Sequence, residues 1–426
     1  MERWVSVLGL FTMLGLAWAL SVDRRSVRWR PVAVGTGLQL LFAVVILRTE
    51  PGRAVFDFAG RVVNKFLGFT EAGASFLFGN LVRQDVPVGT PGPDGGLAQL
   101  GENVARTGAG FAFAVLPTII FFSSFITILY HYGVLQRLVG LFARMMVRFM
   151  GTSGSESLSC SANIFVGQTE APLLIRPYVA TLTRSEIMAV MTGGFATVAG
   201  GVMAAYVGMG VSAKHLLAAS VMSAPAALVM AKLMVPETEH SHTAGKVDIE
   251  VPRPWANVID AAASGAADGL KLALNVGAML IAFVALIAMI DWPLGWLGGL
   301  LGYPELSLNV ILGFVCRPLA WVMGVPWAET TQVGTLIGIK TAVNEFVGYI
   351  EMEKMVQAGS LSERSQVIAT YALCGFSNFS SIAIQIGGIG GMAPERKGDL
   401  ARLGLRAMVA GSLACFQTAT IAGLLL

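Results

Sequence analysis

Two stretches of this chain repeat one another, and that repeat limits the possible folds more than any other feature. Arg144, Met150, Gly151 and Glu156 match Arg317, Met323, Gly324 and Glu329, each pair standing 173 residues apart. The spacing then widens to 175 residues between Glu170 and Glu345, and to 181 between Phe195 and Phe376. The gaps fall between matched blocks, as in a diverged duplication. Each copy contains a polar break, Gly167-Gln168-Thr169-Glu170 in the first and Asn344-Glu345-Phe346 in the second. A glycine-interrupted apolar run follows each break: Gly193-Gly194-Phe195-Ala196-Thr197 and Cys374-Gly375-Phe376-Ser377-Asn378. At membrane depth, unwound backbone and a carboxylate persist only where they line a cavity, so repeats of this kind point to a secondary transporter.

Composition supplies the membrane. Hydrophobic residues make up 55% of the chain and charged ones 13%, with a mean hydropathy of +0.69, far too apolar for a soluble domain of 426 residues. The net charge of +3 comes without a basic stripe, so nucleic-acid binding has no electrostatic basis. Cys160, Cys316, Cys374 and Cys415 stand singly, without the spacing of a metal or redox pair. Eight apolar stretches approach the roughly 20 residues that a bilayer core requires: 4–20, 31–47, 111–132, 187–209, 215–235, 273–292, 367–389 and 403–426. Positive charge follows the first stretch instead of preceding it, which reads as a retained span and not a signal peptide.

Arg24, Arg25, Arg28 and Arg30 mark the first link as cytoplasmic, placing both termini outside in an eight-span chain. The segment bearing Val55, Phe58, Val62, Phe66 and Phe69 reads as a helix lying along the interface. Residues 89–96 read as a glycine- and proline-rich loop. Two spans separate 111–132 from 273–292, the stretches that head the two copies. The second copy therefore starts from the opposite face if the polar-centred segments 157–183 and 330–361 turn back as re-entrant hairpins. The fold class expected is an all-α polytopic membrane protein of eight transmembrane helices plus two re-entrant hairpins in an inverted repeat.

Four motifs resemble those of the concentrative nucleoside transporter family: Gly167-Gln168-Thr169-Glu170-Ala171-Pro172, Gly193 through Gly200, Asn344-Glu345-Phe346, and Cys374 through Ser381. The resemblance runs from the third span onward and is weaker before it; the length and span count look like the shorter bacterial members. It implies a homotrimer in a bacterial inner membrane, each protomer pairing a scaffold with a mobile transport domain. On that resemblance, residues 1–135 form scaffold (spans 1–3 and interfacial helices) and 136–236 the first repeat of the transport domain. Residues 237–300 would be the cytoplasmic linker with scaffold span 6, and 301–426 the second repeat.

A buried carboxylate costs several kcal/mol unless it is hydrated, paired or given donors. A ribose supplies hydroxyl donors, so Glu345 with Asn378 and Ser381 suits a sugar, while Gln168, Thr169 and Glu170 suit the amide-like edge of a base. The family assigns these positions in that way, with Val202 and Phe376 as apolar wall. The plainer alternative makes Glu170 and Glu345 structural partners of Arg176 or Lys340. Asn163 and Thr197, with the carbonyls of Val166 and Val198, match the family's sodium-binding positions; the plainer alternative is that Asn163 and Thr197 only cap helix ends.

These residues lead to a sodium-coupled symporter, with no cofactor, that concentrates nucleosides such as uridine by elevator-type alternating access. The alternative is a proton-coupled nucleoside or nucleobase carrier. Serine catalysis is unsupported, because Ser380 and Ser381 sit in no nucleophile motif. His240 and His242 with Glu237 and Glu239 read as a solvated turn despite metal-like spacing. The Gly387–Gly391 stretch reads as helix packing and not a dinucleotide cradle.

Overall fold

The computed structural model describes residues 2–83, 85–91, 93, 97–106, 111–245, 255–303 and 305–426. The chain opens with α1 (Glu2–Ala19), α2 (Trp29–Arg48) and α3 (Glu50–Phe78). Next come the paired strands β1 (Asp85–Pro91) and β2 (Leu97–Arg106), then the first copy of the repeat. It runs through α4 (Leu116–His131), α5 (Val134–Met150), α6 (Gly154–Ala162), a 3-10 segment (Ala171–Thr181), α7 (Arg184–Ala196), α8 (Gly200–Gly208) and α9 (Ala213–Met234). The second copy repeats that succession as α10 (Val258–Leu301), α11 (Leu308–Val322), α12 (Thr330–Ala342), α13 (Glu345–Gln357), α14 (Glu363–Leu373), α15 (Phe379–Met392) and α16 (Lys397–Leu425).

Local chemistry explains why the matched blocks survive. Gly151 and Gly324 follow the ends of α5 and α11 with φ of 73° and 94°, a left-handed conformation that glycine adopts without a Cβ penalty. Ser153 and Glu156 form a capping box at α6, and Thr183 and Glu186 form another at α7, satisfying backbone donors that would otherwise be orphaned. Asn344 and Asn378 cap α13 and α15 by accepting from the N–H groups of Val347 and Ser381, both at 2.9 Å.

Among the described residues, six helical stretches are long and apolar enough to cross a bilayer: Trp29–Arg48, Ala112–His131, Arg184–Gly208, Ala213–Met234, Val258–Leu301 and Pro394–Leu425. With α1 and the broken pair α14 and α15 they make the eight expected spans. The two hairpins are α6 with its 3-10 arm, and α12 with α13. Burial separates inner from outer helices: the stretches holding α7 with α8, and α9, are 89% buried, against 11% for α10 and 22% for the stretch holding α4.

Several expectations need correction. Of residues 89–96, read as a loop, 89–91 belong to β1, which pairs antiparallel with β2, Asp85 opposite Arg106; residues 92 and 94–96 lie outside the described residues. The sixth span is part of a 44-residue helix, and α5 and α11 are whole elements that hydropathy passes over. The α5 face that is buried carries Leu135, Val139, Ala143 and Met146 while Arg137 and Arg148 share the helix, a mixed composition that hides it. Helix α3 packs inward as well as presenting Val55, Phe58 and Phe69 outward: the Phe66 ring lies 4.5 Å from that of Phe125. Finally, α1 lies along α16 and α2 along α9, whereas α4 pairs with α10. The packing thus places the first two spans beside the inner helices α9 and α16.

Candidate functional site

The spans made of α7 with α8 and of α14 with α15 both break at mid-length. Helix α7 ends at Ala196 and α8 starts at Gly200, while α14 ends at Leu373 and α15 starts at Phe379. The hairpin tips approach these breaks because glycines leave room. A Cβ on Gly194 would lie 2.8 Å from the Gln168 side chain, and one on Gly375 would lie 2.7 Å from the Phe195 carbonyl oxygen. The N–H of Phe376 donates to the carbonyl of Thr197 at 3.2 Å, tying break to break.

A cavity of about 520 Å³ opens between the tips and the breaks. All eight residues expected to contact substrate line it: Gln168, Thr169, Glu170, Val202, Glu345, Phe376, Asn378 and Ser381. Tyr206 donates its hydroxyl to Glu345 Oε1 and Asn378 donates its amide to Glu345 Oε2, both at 2.9 Å. Glu345 is 4% exposed, so these donors answer the cost of burying a carboxylate there. Across the cavity, Gln168 Nε2 donates to Ser381 Oγ at 3.3 Å and Gln168 Oε1 accepts from Gln385 Nε2 at 3.0 Å, bridging the two copies. Glu170 folds back over its own tip: a Cβ on Gly167 would stand 2.3 Å from Glu170 Oε2. Neither Arg176 nor Lys340 makes an ion pair with these glutamates among the described residues; Arg176 is exposed, and Lys340 donates to the Ala372 carbonyl.

Sequence reasoning missed several contributors. Tyr206 stands four residues after Val202 on α8, and Gln385 four after Ser381 on α15, so helical spacing from the recognised positions would have found both. The opposite wall comes from α10, through Leu272, Asn275, Val276, Met279 and Leu280, and Asn275 in an otherwise apolar run was its only signal. A second cavity of about 440 Å³ shares Gly167, Thr169, Glu170, Ala199, Leu272 and Asn275 with the first, so the two meet at Glu170.

Of the four residues expected to hold sodium, Asn163 and Thr197 meet around Gly193. Asn163 ends α6 and donates Nδ2 to the Ser159 carbonyl at 3.0 Å; Thr197 ends α7 and donates Oγ1 to the Gly193 carbonyl at 2.9 Å. Both therefore do cap helices. Yet Asn163 Oδ1 is buried without a hydrogen-bond partner, and a Cβ on Gly193 would meet the same amide at 3.4 Å. Among the described residues, turn hydrogen bonds run to the carbonyls of Phe165, Gly167 and Thr197 but pass over those of Val166 and Val198. Unpaired oxygens beside a hydroxyl suit a hard monovalent cation.

The charged turn after α9 is more ordered than a solvated loop. Glu237 accepts from Thr183 Oγ1 at 2.8 Å, Glu239 accepts from the Arg184 N–H at 3.1 Å, and Lys232 Nζ lies 2.7 Å from Glu156 Oε2. Its acidic side chains tie the turn to the start of α7.

Residues 8–81 match the family model "Na+ dependent nucleoside transporter N-terminus", residues 112–213 match "Nucleoside recognition", and residues 215–423 match "Na+ dependent nucleoside transporter C-terminus". An uncharacterized transporter of Haemophilus influenzae is 45% identical, the alignment covering 98% of this chain and 97% of that one. Solute carrier family 28 member 3 of Mus musculus is 43% identical over all of this chain and 59% of its own length; sodium/nucleoside cotransporter 1 of the same organism is 42% identical over all of this chain and 64% of its own. The solved structure of CNTnw in an inward-facing substrate-bound state superposes with a TM-score of 0.90 at 44% identity, covering 100% of this chain and 98% of that one. A variant of CNTnw in an outward-facing state gives the same TM-score and identity.

Proposed function

The chain belongs to the Na+-dependent nucleoside transporter family, a membrane carrier coupled to sodium and not an enzyme, and from that premise we propose that it imports nucleosides such as uridine by an elevator-type movement. The observation that supports this reading most is the position of Glu345, held between Tyr206 and Asn378 on the wall of the 520 Å³ cavity. A carboxylate so placed accepts from a vicinal diol, which a nucleoside has and a nucleobase lacks.

In this reading Glu345, Asn378 and Ser381 hold the ribose. Gln168, Thr169 and Glu170 meet the base edge, and Val202 and Phe376 pack its faces. Sodium takes the Asn163 and Thr197 oxygens with the carbonyls of Val166 and Val198, ordering the first hairpin tip beside the base. The mobile body consists of the hairpins, the broken helices, α9 and α16, and the packing of α1 and α2 argues for including them. Helices α4 and α10 form the static wall, and α10 contributes Leu272, Asn275 and Met279 to the cavity. CNTnw, solved facing inward, facing outward and in intermediate states, supports alternating access of this kind. The assembly is a homotrimer in a bacterial inner membrane, both termini periplasmic.

Calorimetric titration of the purified protein tests the reading. Uridine should bind in sodium chloride and bind at least ten-fold more weakly when choline replaces sodium, which corresponds to about 1.4 kcal/mol. Binding of uracil as tight as that of uridine would overturn the nucleoside assignment, and binding indifferent to sodium would overturn the ion site.

A further inference from the structure

The two copies of the repeat treat one electrostatic problem differently. A helix that ends inside the membrane leaves carbonyls without partners and a partial negative charge at its C-terminal end. In the first copy, α7 ends near Asn163, a neutral amide on the adjoining hairpin arm whose Oδ1 is unpaired. No lysine occurs anywhere in 151–183. In the second copy, α14 ends near Lys340, which occupies the last turn of α12, the corresponding arm of the other hairpin.

Lys340 is 0% exposed. Its Nζ donates to the carbonyl of Ala372, in the last turn of α14, at 2.7 Å and stands 5.8 Å from the centre of the Phe416 ring. Glu345, five residues on, is bound by Tyr206 and Asn378 instead. Among the described residues the ammonium's direct contacts are that carbonyl and the ring face, with the Glu345 carboxylate near enough to feel its charge but not paired with it; burying it so is expensive, and an aliphatic side chain would fill the space at lower cost. Its charge must therefore do something that volume does not.

We propose that Lys340 is a tethered cation, standing at the second helix break where the first break takes a mobile one. The inference rests on the reading of Asn163 and Thr197 as the sodium site. Lys340 would make the second half of the pocket independent of ions, so that only the first hairpin arm responds to sodium. It is a positioning residue, acting through the end of α14 and through Glu345 and not by touching the nucleoside.

The test is uridine binding to purified wild type, Lys340→Ser and Lys340→Arg over sodium chloride concentrations balanced with choline chloride. Wild type should give a Hill coefficient of about 1 for sodium, and Lys340→Ser should give about 2, because a second mobile ion now couples to the same ligand. Lys340→Arg, which keeps the charge, should stay near the wild-type value. Without nucleoside, sodium should raise the thermal midpoint of Lys340→Ser more than that of wild type, since an ion that binds only the folded state stabilises it.

An unchanged Hill coefficient and affinity in Lys340→Ser would overturn the proposal. So would loss of uridine binding at every sodium concentration, failure of Lys340→Ser to fold even in high sodium, or an Arg variant that behaves like the Ser variant. In a wild type indifferent to sodium, the reading of Asn163 and Thr197 fails by itself. The tether then stands or falls on whether Lys340→Ser acquires a sodium response.

Discussion

The N–H of Phe376 donates to the carbonyl of Thr197 at 3.2 Å, joining the break of one discontinuous helix to the break of the other. In the proposed reading Thr197 serves the ion and Phe376 the nucleoside, which would put one backbone hydrogen bond between the two ligands. Sodium and nucleoside need no long relay. An ion that orders the 197–199 segment also fixes the wall against which the base packs, and reciprocity requires the nucleoside to tighten sodium by the same factor.

Glu345→Gln should fold but lose most uridine binding. Tyr206 and Asn378 both donate to the carboxylate, and an amide would turn an NH₂ group toward one of those donors. Leaving a buried donor unpaired costs about 1–3 kcal/mol, or on the order of ten- to hundred-fold in affinity. Titration of the folded variant checks this, and affinity within two-fold of wild type would remove Glu345 from the sugar site.

Thr197→Val should raise the sodium concentration for half-maximal uridine binding while leaving the protein folded. The substitution keeps shape and removes one hydroxyl oxygen from an ion that takes about six. The hydroxyl's bond to the Gly193 carbonyl is a local one, so stability should fall by no more than about 1 kcal/mol. An unchanged sodium response would exclude this oxygen.

Competition among analogues separates ribose from base. Uridine should compete well, 3′-deoxyuridine poorly and uracil very poorly, because a site built for a hydroxyl strands its own groups when the hydroxyl is missing. Gln168→Ala should alter the ranking among bases and preserve the need for ribose. It should also loosen the Ser381 and Gln385 contacts, which faster dissociation would report.

Lys232→Ala should destabilise the first hairpin. Its ammonium reaches Glu156 at 2.7 Å, Ser185 at 2.9 Å and Glu237 at 3.4 Å, and removing it strands a glutamate that is 1% exposed. Breaking such a buried pair costs about 3–5 kcal/mol. Adding Glu156→Gln should restore part of the loss, and a thermal midpoint for the single variant equal to wild type would contradict the pairing.

Topology can be read by labelling single cysteines at His240 and Ser360, both exposed, in a Cys316→Ser background that leaves only buried native thiols. The inverted repeat predicts reaction from opposite faces of the membrane, at the cytoplasm for His240 and the periplasm for Ser360. Reaction of both from one face would end that arrangement.

The hairpin tips and helix breaks were legible because Glu170, Glu345 and the glycines around 193 and 375 are anomalies in apolar sequence. Their assembly into one cavity was legible only through the duplication. Tyr206 and Gln385 were hidden because each is an ordinary helical residue until its partner across the repeat is known. The α10 wall was hidden for another reason: Leu272, Val276 and Met279 look the same whether a helix faces lipid, protein or substrate. Helix α5 escaped because arginines interrupt its apolar stripe, α11 because its 15 residues fall short of a span, and the strand pairing of Asp85 with Arg106 depends on partners 21 positions apart and not on local pattern.

The central claim is concentrative, sodium-driven nucleoside transport, and uptake of radiolabelled uridine into proteoliposomes under separately imposed sodium and proton gradients tests it most directly. An inward sodium gradient alone should drive uridine above the external concentration, and a proton gradient alone should not. Accumulation driven by protons without sodium, or equilibration without accumulation under either gradient, would contradict the account.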